Sequence, residues 1–480
     1  MKILVLNPPF LPKYSRTSRS PAVTHGGTLY YPFWLAYATG ALEKDGNEVI
    51  LKDSPADGST VDDVIGLVRE FNPQIVVLDT STPSIHNDVE VAAKLKKVNG
   101  CFTVLVGTHP SAMPEETFKM NDKVDAIARK EYDYTLKELA KVLEKGGDLK
   151  NVNGLSYRKS GKIYHNPDRE PIQNLDEIPF VTQVYKKHLD VKNYFYAAAE
   201  WPMVMIMSAR GCIFRCFFCV YPQVTWGLKF RPRSAENVAE EFEYVTKEMP
   251  EVKTIGVEDD TFTIDKERVR KICRLLIEKG INKKIHWWAN TRADLDYETM
   301  KIMKDAGCRL IIVGYESGSQ ELLNNCNKGI TLENSLMFAE NARKAKLLVH
   351  GCFIIGLPGE TKETINQTIE FAKKLKPDTA QFFPLMLYPG TRAYEWAKQK
   401  GYLTTEDFRK WVDVKGHHET ILSMPGLNSD EIVRWCGIAR KRFYLRPSYI
   451  LYKIKQSLLH PSEAQRTIKS ARTFFKHLFS

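Results

Sequence analysis

The sequence predicts two α/β domains in series, followed by a helical C-terminal extension. A chain of 480 residues is too long for one core. Short β-branched runs alternate with helical segments, and the second half repeats the strand–helix unit six times. We therefore expect a doubly wound, Rossmann-like domain over 1–145 and a hairpin and linker over 146–200. An incomplete, TIM-like (β/α)6 barrel over 201–395 and a helical extension with a basic tail over 396–480 follow.

The first domain should contain five parallel strands. Apolar runs predict strands at 3–6, 49–51, 75–78, 103–106 and 126–128, and helices at 34–44, 61–71 and 88–98. Ligands of such sheets bind at the carboxyl ends of the strands, near the switch point in strand order. The loops that begin at Asn7, Ser81 and Gly107 are therefore the candidate binding loops.

The second domain should be the barrel. Before it, a hairpin is predicted around Ser160-Gly161, and three prolines between 167 and 179 indicate a linker. The predicted strands are 204–207, 254–257, 285–288, 310–313, 349–355 and 379–387, with helices such as 235–248 and 266–279 between them. In barrels of this type the functional residues lie in the loops that follow the strands.

Charge and composition exclude several classes of protein. Residues 440–480 hold ten cations and one acid, a net charge of +9 out of +11 for the chain. The remaining body is nearly balanced, which argues against a nucleic-acid-binding protein built on a broad basic face. The sequence contains no run of about 18 apolar residues and no secretory signal, so neither a membrane span nor secretion is predicted. Nine cysteines without a disulfide pattern favour a reducing, cytoplasmic location.

The most specific motif is a group of three cysteines after the first barrel strand. Cys212, Cys216 and Cys219 have the spacing C-x3-C-x2-C, and Phe218 precedes the last of them. Thiolates are the usual ligands of iron–sulfur clusters. Three thiolates on a four-iron cluster leave one iron open for an exogenous ligand, as a catalytic zinc keeps an open position. A zinc site is the alternative, but no His or further Cys lies between 189 and 272, and His188 belongs to the linker.

Polar residues follow each later barrel strand. Glu258 and Asp259 follow the second strand, Asn290 and Arg292 the third, Glu316 and Ser317 the fourth, and Gly356 the fifth. Carboxylates suit amines and hydroxyl groups, arginine suits a carboxylate, and glycine allows a flat base to approach the backbone. Each of these short motifs alone is weak evidence for a binding site. Together they are strong evidence, because they follow successive strands after the cysteine motif.

This order, over 203–391, resembles the radical S-adenosylmethionine (SAM) superfamily. The resemblance implies that Cys212, Cys216 and Cys219 bind a [4Fe-4S] cluster whose open iron binds SAM. It places Glu258 and Asp259 at the motif for the SAM amine. By the same resemblance Asn290, Arg292 and Glu316 contact the SAM carboxylate and ribose, Ser317 also contacts SAM, and Gly356 lies beside the adenine.

An α/β domain before such a barrel is the arrangement of the cobalamin-binding (B12) branch of that superfamily. The strings Asn7-Pro8-Pro9 and Thr82-Pro83-Ser84 resemble this branch. The resemblance implies cobalamin in the first domain, with contacts from the candidate loops: Asn7, Pro8, Pro9, Ser81, Thr82, Ser84, Gly107 and Thr108. The alternative is a degenerate domain that binds nothing.

One departure concerns the histidine that some cobalamin domains supply to cobalt. The D-x-H-x-x-G pattern is absent, as is common in the radical SAM branch, and a cobalt without a histidine ligand suits methyl transfer. His25, His86 and His109 lie in or near the candidate loops. We expect them to be hydrogen-bonding loop residues rather than metal ligands.

The resemblance implies radical chemistry on an unactivated carbon. Reductive cleavage of SAM yields a 5′-deoxyadenosyl radical, for which a one-electron donor such as ferredoxin or flavodoxin is needed. Methyl transfer through cobalamin is the favoured outcome; ring contraction, cyclisation or hydration is the alternative. A non-catalytic cobalamin or iron–sulfur sensor is a rival from another class. An RNA methylthiotransferase is disfavoured, because Cys101 is the only cysteine before Cys212.

The basic tail suggests a peripheral membrane contact through 440–480. Residues 449–455 and 467–479 mix apolar residues with Lys and Arg, and Phe474, Phe475, Leu478 and Phe479 fit one helical stripe. Basic amphipathic helices lie on anionic membrane surfaces. This pattern, with a weak likeness of 30–36 to hopanoid-associated and related lipid or tetrapyrrole branches, predicts a lipid-like or other secondary-metabolite substrate at the inner membrane face. The alternative is a solvated helix packed on the barrel.

Overall fold

The first sheet of the computed structural model, which describes residues 1–459, has seven strands in the order β2-β1-β3-β4-β5-β6-β7. Strands β1–β5 run parallel, and the hairpin β6–β7 adds to β5 antiparallel. The strands are β1 (Lys2–Asn7), β2 (Glu48–Asp53), β3 (Ile75–Thr80), β4 (Phe102–Gly107), β5 (Ala126–Ala128), β6 (Leu155–Lys159) and β7 (Lys162–His165). The predicted hairpin therefore extends the first sheet.

Helices cover this sheet on both faces, as the predicted doubly wound fold requires. Helix α1 packs against α7, and α3 packs against α4. The helices are α1 (Phe33–Lys44), α2 (Ser54–Asp57), α3 (Val61–Phe71), α4 (Ile85–Asn99), α5 (Thr108–Ala112), α6 (Pro114–Met120) and α7 (Asp133–Glu144). The strand order reverses between β1 and β3, so the switch point lies beside Asn7 and Ser81.

The second sheet contains six parallel strands in the order β8-β11-β12-β13-β14-β15 and forms an open, partial barrel. A two-residue ribbon, β9 (Ala209–Arg210) with β10 (Arg231–Pro232), flanks the cysteine loop. The strands are β8 (Met203–Ile206), β11 (Thr254–Val257), β12 (His286–Thr291), β13 (Cys308–Glu316), β14 (Leu348–Ile355) and β15 (Thr379–Pro384). All six predicted barrel strands are confirmed, β13 with the longest extension.

The helices of the second half lie between and after these strands. They are α8 (Val181–His188), α9 (Ala235–Glu248), α10 (Lys266–Glu278), α11 (Tyr297–Asp305), α12 (Gln320–Asn325), α13 (Leu332–Lys344), α14 (Lys362–Leu375), α15 (Arg392–Gln399), α16 (Ser429–Tyr444) and α17 (Pro447–Leu459). Among residues 1–459 no helix is long and apolar enough to cross a bilayer. The predicted stripe from Phe474 to Phe479 lies outside the described residues.

The edge strand β8 faces the first domain and the linker. Tyr31 donates a hydrogen bond to the Met203 carbonyl (2.8 Å), and Tyr185 donates to the Met205 carbonyl (3.0 Å). Tyr37 donates to the carbonyl of Met207 (3.3 Å), just beyond the strand. These bonds hold the first domain against the open side of the barrel.

Candidate functional site

The cysteine loop begins where β8 ends and is tied down at several points. Cys212 is buried, Cys216 and Cys219 are half-buried, and all three are free thiols. Gln223 donates from Nε2 to the carbonyls of Cys216 (3.3 Å), Phe217 (3.2 Å) and Cys219 (2.8 Å). Burial raises the pKa of the Cys219 thiol, and the Asp260 carboxylate raises it further. Such thiols become thiolates when a metal binds them, so the donor set fits an iron–sulfur cluster.

Two neighbouring segments fix the outer side of this loop. The Phe217 N–H donates to the Cys326 carbonyl (2.9 Å), and the Arg392 guanidinium donates to the Arg215 carbonyl. Arg292 stacks its guanidinium on the Phe214 ring at 3.5 Å. Among residues 1–459, no three His, Cys, Asp or Glu side chains form a group that could hold a single metal ion.

The second strand end places three acids beside this loop, and each has a different environment. Both oxygens of Asp259 are engaged: Oδ1 accepts from the Ser208 N–H (2.6 Å), and Oδ2 accepts from the Ser208 hydroxyl (2.5 Å). Asp259 therefore fixes the start of the cysteine loop. Glu258 is an acceptor for Arg19, a residue of the first domain, and its Oε2 has no hydrogen-bond partner within residues 1–459.

Asp260 is the least satisfied of the three acids. Its side chain is 4% exposed, and neither oxygen has a hydrogen-bond partner among the described residues. Burial raises the pKa of Asp260 to about 6, although Arg19 opposes the shift. Burial likewise raises the pKa of Glu258. Buried acceptors without donors are costly, so these oxygens are available to a ligand that can donate hydrogen bonds.

The third and fourth strand ends complete this side of the barrel. Asn290 donates to the Asp259 carbonyl (3.1 Å), and Arg292 donates to the carbonyls of Lys328 (2.9 Å) and Gly329 (3.1 Å). Glu316, at a positive φ of 63°, accepts from the Lys328 ammonium (2.6 Å). Burial disfavours the charge of Lys328, but the negative charges of Glu316 and Cys216 together outweigh it and raise the pKa of this lysine.

The remaining predicted SAM residues are held by their own strand ends. The Ser317 hydroxyl bonds to Thr368 (3.1 Å) and accepts from the Ser319 N–H (3.1 Å). The Gly356 N–H donates to Glu360 (3.1 Å), and its φ of 104° requires glycine. The structure thus brings the predicted set to one end of the barrel. Two members of this set, Asp259 and Ser317, are engaged in hydrogen bonds to neighbouring residues.

The predicted cobalamin loops meet at the carboxyl ends of β1, β3 and β4. Asn7 donates to Asp53 (2.8 Å) and accepts from the buried Arg16 (2.7 Å). The Pro8 carbonyl accepts from Arg16 (2.8 Å), and the Pro9 carbonyl accepts from Asn87 (2.8 Å).

In the loop after β3, the hydroxyl groups hydrogen-bond to neighbouring side chains. Ser81 bonds to Ser84 (2.9 Å), and Ser84 donates to Asp88 (2.5 Å). Thr82 bonds to Nδ1 of His109 (3.3 Å), while His109 Nε2 has no partner among the described residues. Burial lowers the pKa of His109 to about 3, so this imidazole is neutral.

A cavity opens beside these loops, between the first domain and the turn after the cysteine loop. Its walls include Arg16, Asp79, Gly107, Thr108, Tyr132 and Trp226. Several buried polar atoms around it lack a hydrogen-bond partner within residues 1–459: Asp79 Oδ2, Tyr132 OH, Thr225 Oγ1 and Trp226 Nε1. A Cβ on Gly107 would lie 2.2 Å from the Thr80 carbonyl. Unsatisfied donors and acceptors around such a space fit a polar group, and an amide side chain of a corrin is one.

Sequence reasoning missed four charged residues of this region: Arg16, Arg19, Asp260 and Lys328. The first two lie in the segment between β1 and α1, residues 8–32, which is far longer than the usual 2–6-residue connection in α/β units. That length was an available signal, because long internal loops are commonly functional. Asp260 directly follows the predicted pair Glu258 and Asp259 at the same strand end, so its position was also an available signal. Lys328 carries no sequence signal that separates it from surface charges.

Comparisons with known proteins identify a family for each of the two domains. The radical SAM superfamily profile matches residues 206–372, and the B12 binding domain profile matches residues 19–140. An uncharacterized methyltransferase of Pyrococcus horikoshii is 34% identical over 95% of both chains. An anaerobic magnesium-protoporphyrin IX monomethyl ester cyclase of Rubrivivax gelatinosus is 26% identical over 88% of this chain and 75% of its own.

Among solved structures, the radical S-adenosylmethionine methyltransferase TsrM of Kitasatospora setae aligns with a TM-score of 0.72 and 19% identity. The alignment covers 93% of this chain and 89% of TsrM, whose structure holds a tryptophan substrate and a SAM analogue. At this identity the likeness establishes the fold of both domains.

We predict that Gly211→Ala will prevent assembly of the cysteine loop. Gly211 has a φ of 85°, and a Cβ there would lie 2.1 Å from the Lys229 carbonyl. Gly227, at a φ of 75°, has no atom within 4 Å of the position that a Cβ would take, so Gly227→Ala costs only the left-handed backbone strain of ~1 kcal/mol. After anaerobic reconstitution, iron per chain should fall sharply in Gly211→Ala and stay near wild type in Gly227→Ala. Equal iron in the two variants would contradict the prediction.

Proposed function

The chain belongs to the radical SAM superfamily and carries its B12-binding domain, and on that premise we propose that it is a methyltransferase acting on an unactivated carbon. A B12-dependent radical SAM enzyme uses a [4Fe-4S] cluster, SAM and cobalamin. When bound, these groups supply a 5′-deoxyadenosyl radical that removes a hydrogen atom and a methyl group that replaces it. The observation that carries the proposal is the pair of strand-end sites, one from each domain, joined by Arg19.

We propose residue roles from the contacts at each site. Cys212, Cys216 and Cys219 would hold the cluster. Glu258 and Asp260 would accept the SAM ammonium, because together they offer three buried carboxylate oxygens without donors. Asp259 orients the loop instead of binding SAM, because Ser208 and Ala209 occupy its oxygens.

On the other side of the barrel mouth, Arg292 and the Glu316–Lys328 pair would border the cofactor. Arg292 contacts the cysteine loop by stacking on the Phe214 ring. Glu316 keeps one oxygen beyond its bond to Lys328 and can accept a hydroxyl group. In the first domain, the candidate loops would hold cobalamin, and the cavity beside Asp79 would take one of its amide side chains.

A cyclisation without methyl transfer is the second candidate. It is favoured by the similarity to the Rubrivivax cyclase, which extends over 88% of this chain. The higher identity to a protein described as a methyltransferase ranks methyl transfer first.

The main test separates these outcomes. Anaerobically reconstituted protein should bind four irons per chain and, with dithionite, convert SAM to 5′-deoxyadenosine. With methyl-deuterated SAM and hydroxocobalamin, methyl transfer gives a product that gains the labelled methyl group, whereas cyclisation gives an unlabelled one. Cys212→Ala should lose both the cluster and 5′-deoxyadenosine, and Cys101→Ala should keep both. Wild-type protein that binds iron but never cleaves SAM would overturn the proposal.

We propose that the one-electron donor docks on the outer face of the cysteine loop. Ile213 is 50% exposed there, and the side chains of Arg215 and Arg392 are exposed beside it. An apolar contact flanked by cations suits a small acidic carrier such as flavodoxin or ferredoxin.

We predict that Arg215→Glu slows reduction by reduced flavodoxin about tenfold at low salt, because the charge reversal opposes steering of an acidic carrier. Reduction by dithionite, a small ion that needs no docking, should change far less. The matched control is Arg274→Glu, an exposed arginine on α10. Stopped-flow loss of the cluster's visible absorbance gives the rates, and equal slowing by both reductants would refute docking at this face.

Only part of the predicted basic segment 440–480 is free to contact a membrane in the described structure. Tyr444 bonds to both backbone groups of Ala380 (2.7 and 2.8 Å), and Tyr449 donates to the Asp378 carbonyl (2.9 Å). The start of the basic segment is thus part of the folded body, as the alternative of a packed helix predicted. Beyond it, α17 exposes a series of apolar side chains: Ile450, Leu451, Tyr452, Ile454 and Leu458. We propose that this face, with its lysines, binds an anionic membrane, and that the enzyme acts on a lipid-like or other secondary-metabolite substrate.

We predict that the triple variant Leu451→Gln, Ile454→Gln, Leu458→Gln loses co-sedimentation with phosphatidylglycerol vesicles, because each buried methylene contributes about 0.8 kcal/mol. The control is Met337→Gln, which removes a 55% exposed apolar side chain from α13. Both variants should reconstitute four irons per chain. If the triple variant still sediments like wild type, α17 is not the contact.

A further inference from the structure

The connection between β1 and α1, residues 8–32, runs from the first domain to the barrel mouth; we call it the arm. Its Tyr14 hydroxyl bonds to Ser81 (3.0 Å), and its Thr17 carbonyl accepts from Tyr221 of the barrel (2.5 Å). Farther along, the Val23 N–H donates to the Gly416 carbonyl (2.7 Å). The arm is thus bonded to both domains and to the C-terminal extension.

Two arginines of the arm, three positions apart, reach the two candidate cofactor sites. Arg16 is fully buried and pairs with Asp88 at 2.7 Å. It also donates to Asn7 and to the Pro8 carbonyl, so it fixes the arm to the switch-point loops. Three residues after Arg16, Arg19 lies next to the carboxyl end of β11.

Arg19 binds the strand end that holds the acids. Its Nη1 pairs with Glu258 Oε1, and its Nη2 donates to the carbonyls of Glu258 (3.2 Å) and Asp259 (2.7 Å). The same nitrogen lies 3.8 Å from Asp260 Oδ1. The Arg19 side chain is 32% exposed, whereas those of Glu258 and Asp260 are 3% and 4% exposed. It is therefore the cation that offsets two buried carboxylates.

The charges of Glu258, Asp260 and Arg19 do not balance, and one more cation would neutralise them. Two carboxylates and one guanidinium give a net charge of −1, and three carboxylate oxygens still lack donors. A primary ammonium supplies one positive charge and three N–H donors, so it completes the site. Without Arg19, two adjacent carboxylates would be buried with no cation, which is strongly unfavourable and would displace or protonate one of them.

We propose that Arg19 is a positioning residue of the SAM site, supplied by the first domain. It holds Glu258 and Asp260 in place so that their free oxygens receive the ammonium of SAM. The SAM site is then complete only when the first domain is docked on the barrel. The inference rests on the proposed function, in which SAM binds at this strand end.

The test is the equilibrium affinity for SAM of the full-length, cluster-loaded protein in the absence of reductant, measured by isothermal titration calorimetry. We expect Arg19→Gln to raise the dissociation constant at least about tenfold, because the aligned pair of acceptors is lost. Arg19→Lys should recover most of the affinity, since it keeps a cation in the same place. Arg158→Gln, which alters a first-domain arginine bonded to the Phe118 carbonyl, should bind SAM like wild type.

Two measurements show that each variant is intact: four irons per chain, and uptake of hydroxocobalamin read from its visible spectrum. Unchanged or tighter SAM binding by intact Arg19→Gln would overturn the inference and make Arg19 a competitor for the carboxylates. A loss that Arg19→Lys does not reverse would also overturn it. Dithionite-driven formation of 5′-deoxyadenosine by wild type tests the proposed function separately, so the two failures are distinguishable.

Discussion

An open barrel must satisfy the backbone groups of its two edge strands, and this protein does so with tyrosine hydroxyls at both edges. Tyr31, Tyr37 and Tyr185 serve the carbonyls along β8, and Tyr444 and Tyr449 serve the start of β15. Unpaired edges otherwise invite association with other chains. Because two of the β8 tyrosines belong to the first domain and one to the linker, covering that edge also sets how the domains face each other. The relation between the two candidate sites follows from this requirement.

Buried ion pairs add specificity to the same interface. Arg210, two residues before Cys212, pairs with Glu131 (2.7 Å) and Asp133 (2.8 Å) of the first domain, and Arg231 pairs with Glu131 (2.8 Å). Desolvation offsets most of the Coulomb attraction of such pairs, so they contribute little net stability. Breaking one, however, leaves an uncompensated buried charge at a cost of about 3–5 kcal/mol. The pairs therefore disfavour alternative dockings and keep the cysteine loop next to the first domain.

The sequence predicted the elements well because their signals are local. Apolar runs and turn residues lie within each strand and helix, and β5, β11, α3 and α9 match their predicted bounds. The site was predicted less completely, since a residue's role depends on its partners. Asp259 and Asp260 are identical in type and adjacent in sequence, yet one is saturated by Ser208 and the other has no donor among the described residues. Arg19 lies 239 positions from Glu258 in the sequence, and no local sequence pattern predicts a contact over that separation.

The position of α17 limits what a membrane contact can mean for the substrate. Tyr449 anchors this helix to Asp378, just before the first residue of β15, whereas the candidate site lies at the carboxyl ends of the strands. Six residues of strand separate the two ends by about 20 Å. A bilayer under α17 would therefore face the end of the barrel away from the site. A lipid-like substrate would have to leave the bilayer to reach the cluster, so membrane binding and lipid specificity are separate properties, and a water-soluble substrate is equally compatible with a membrane-bound enzyme.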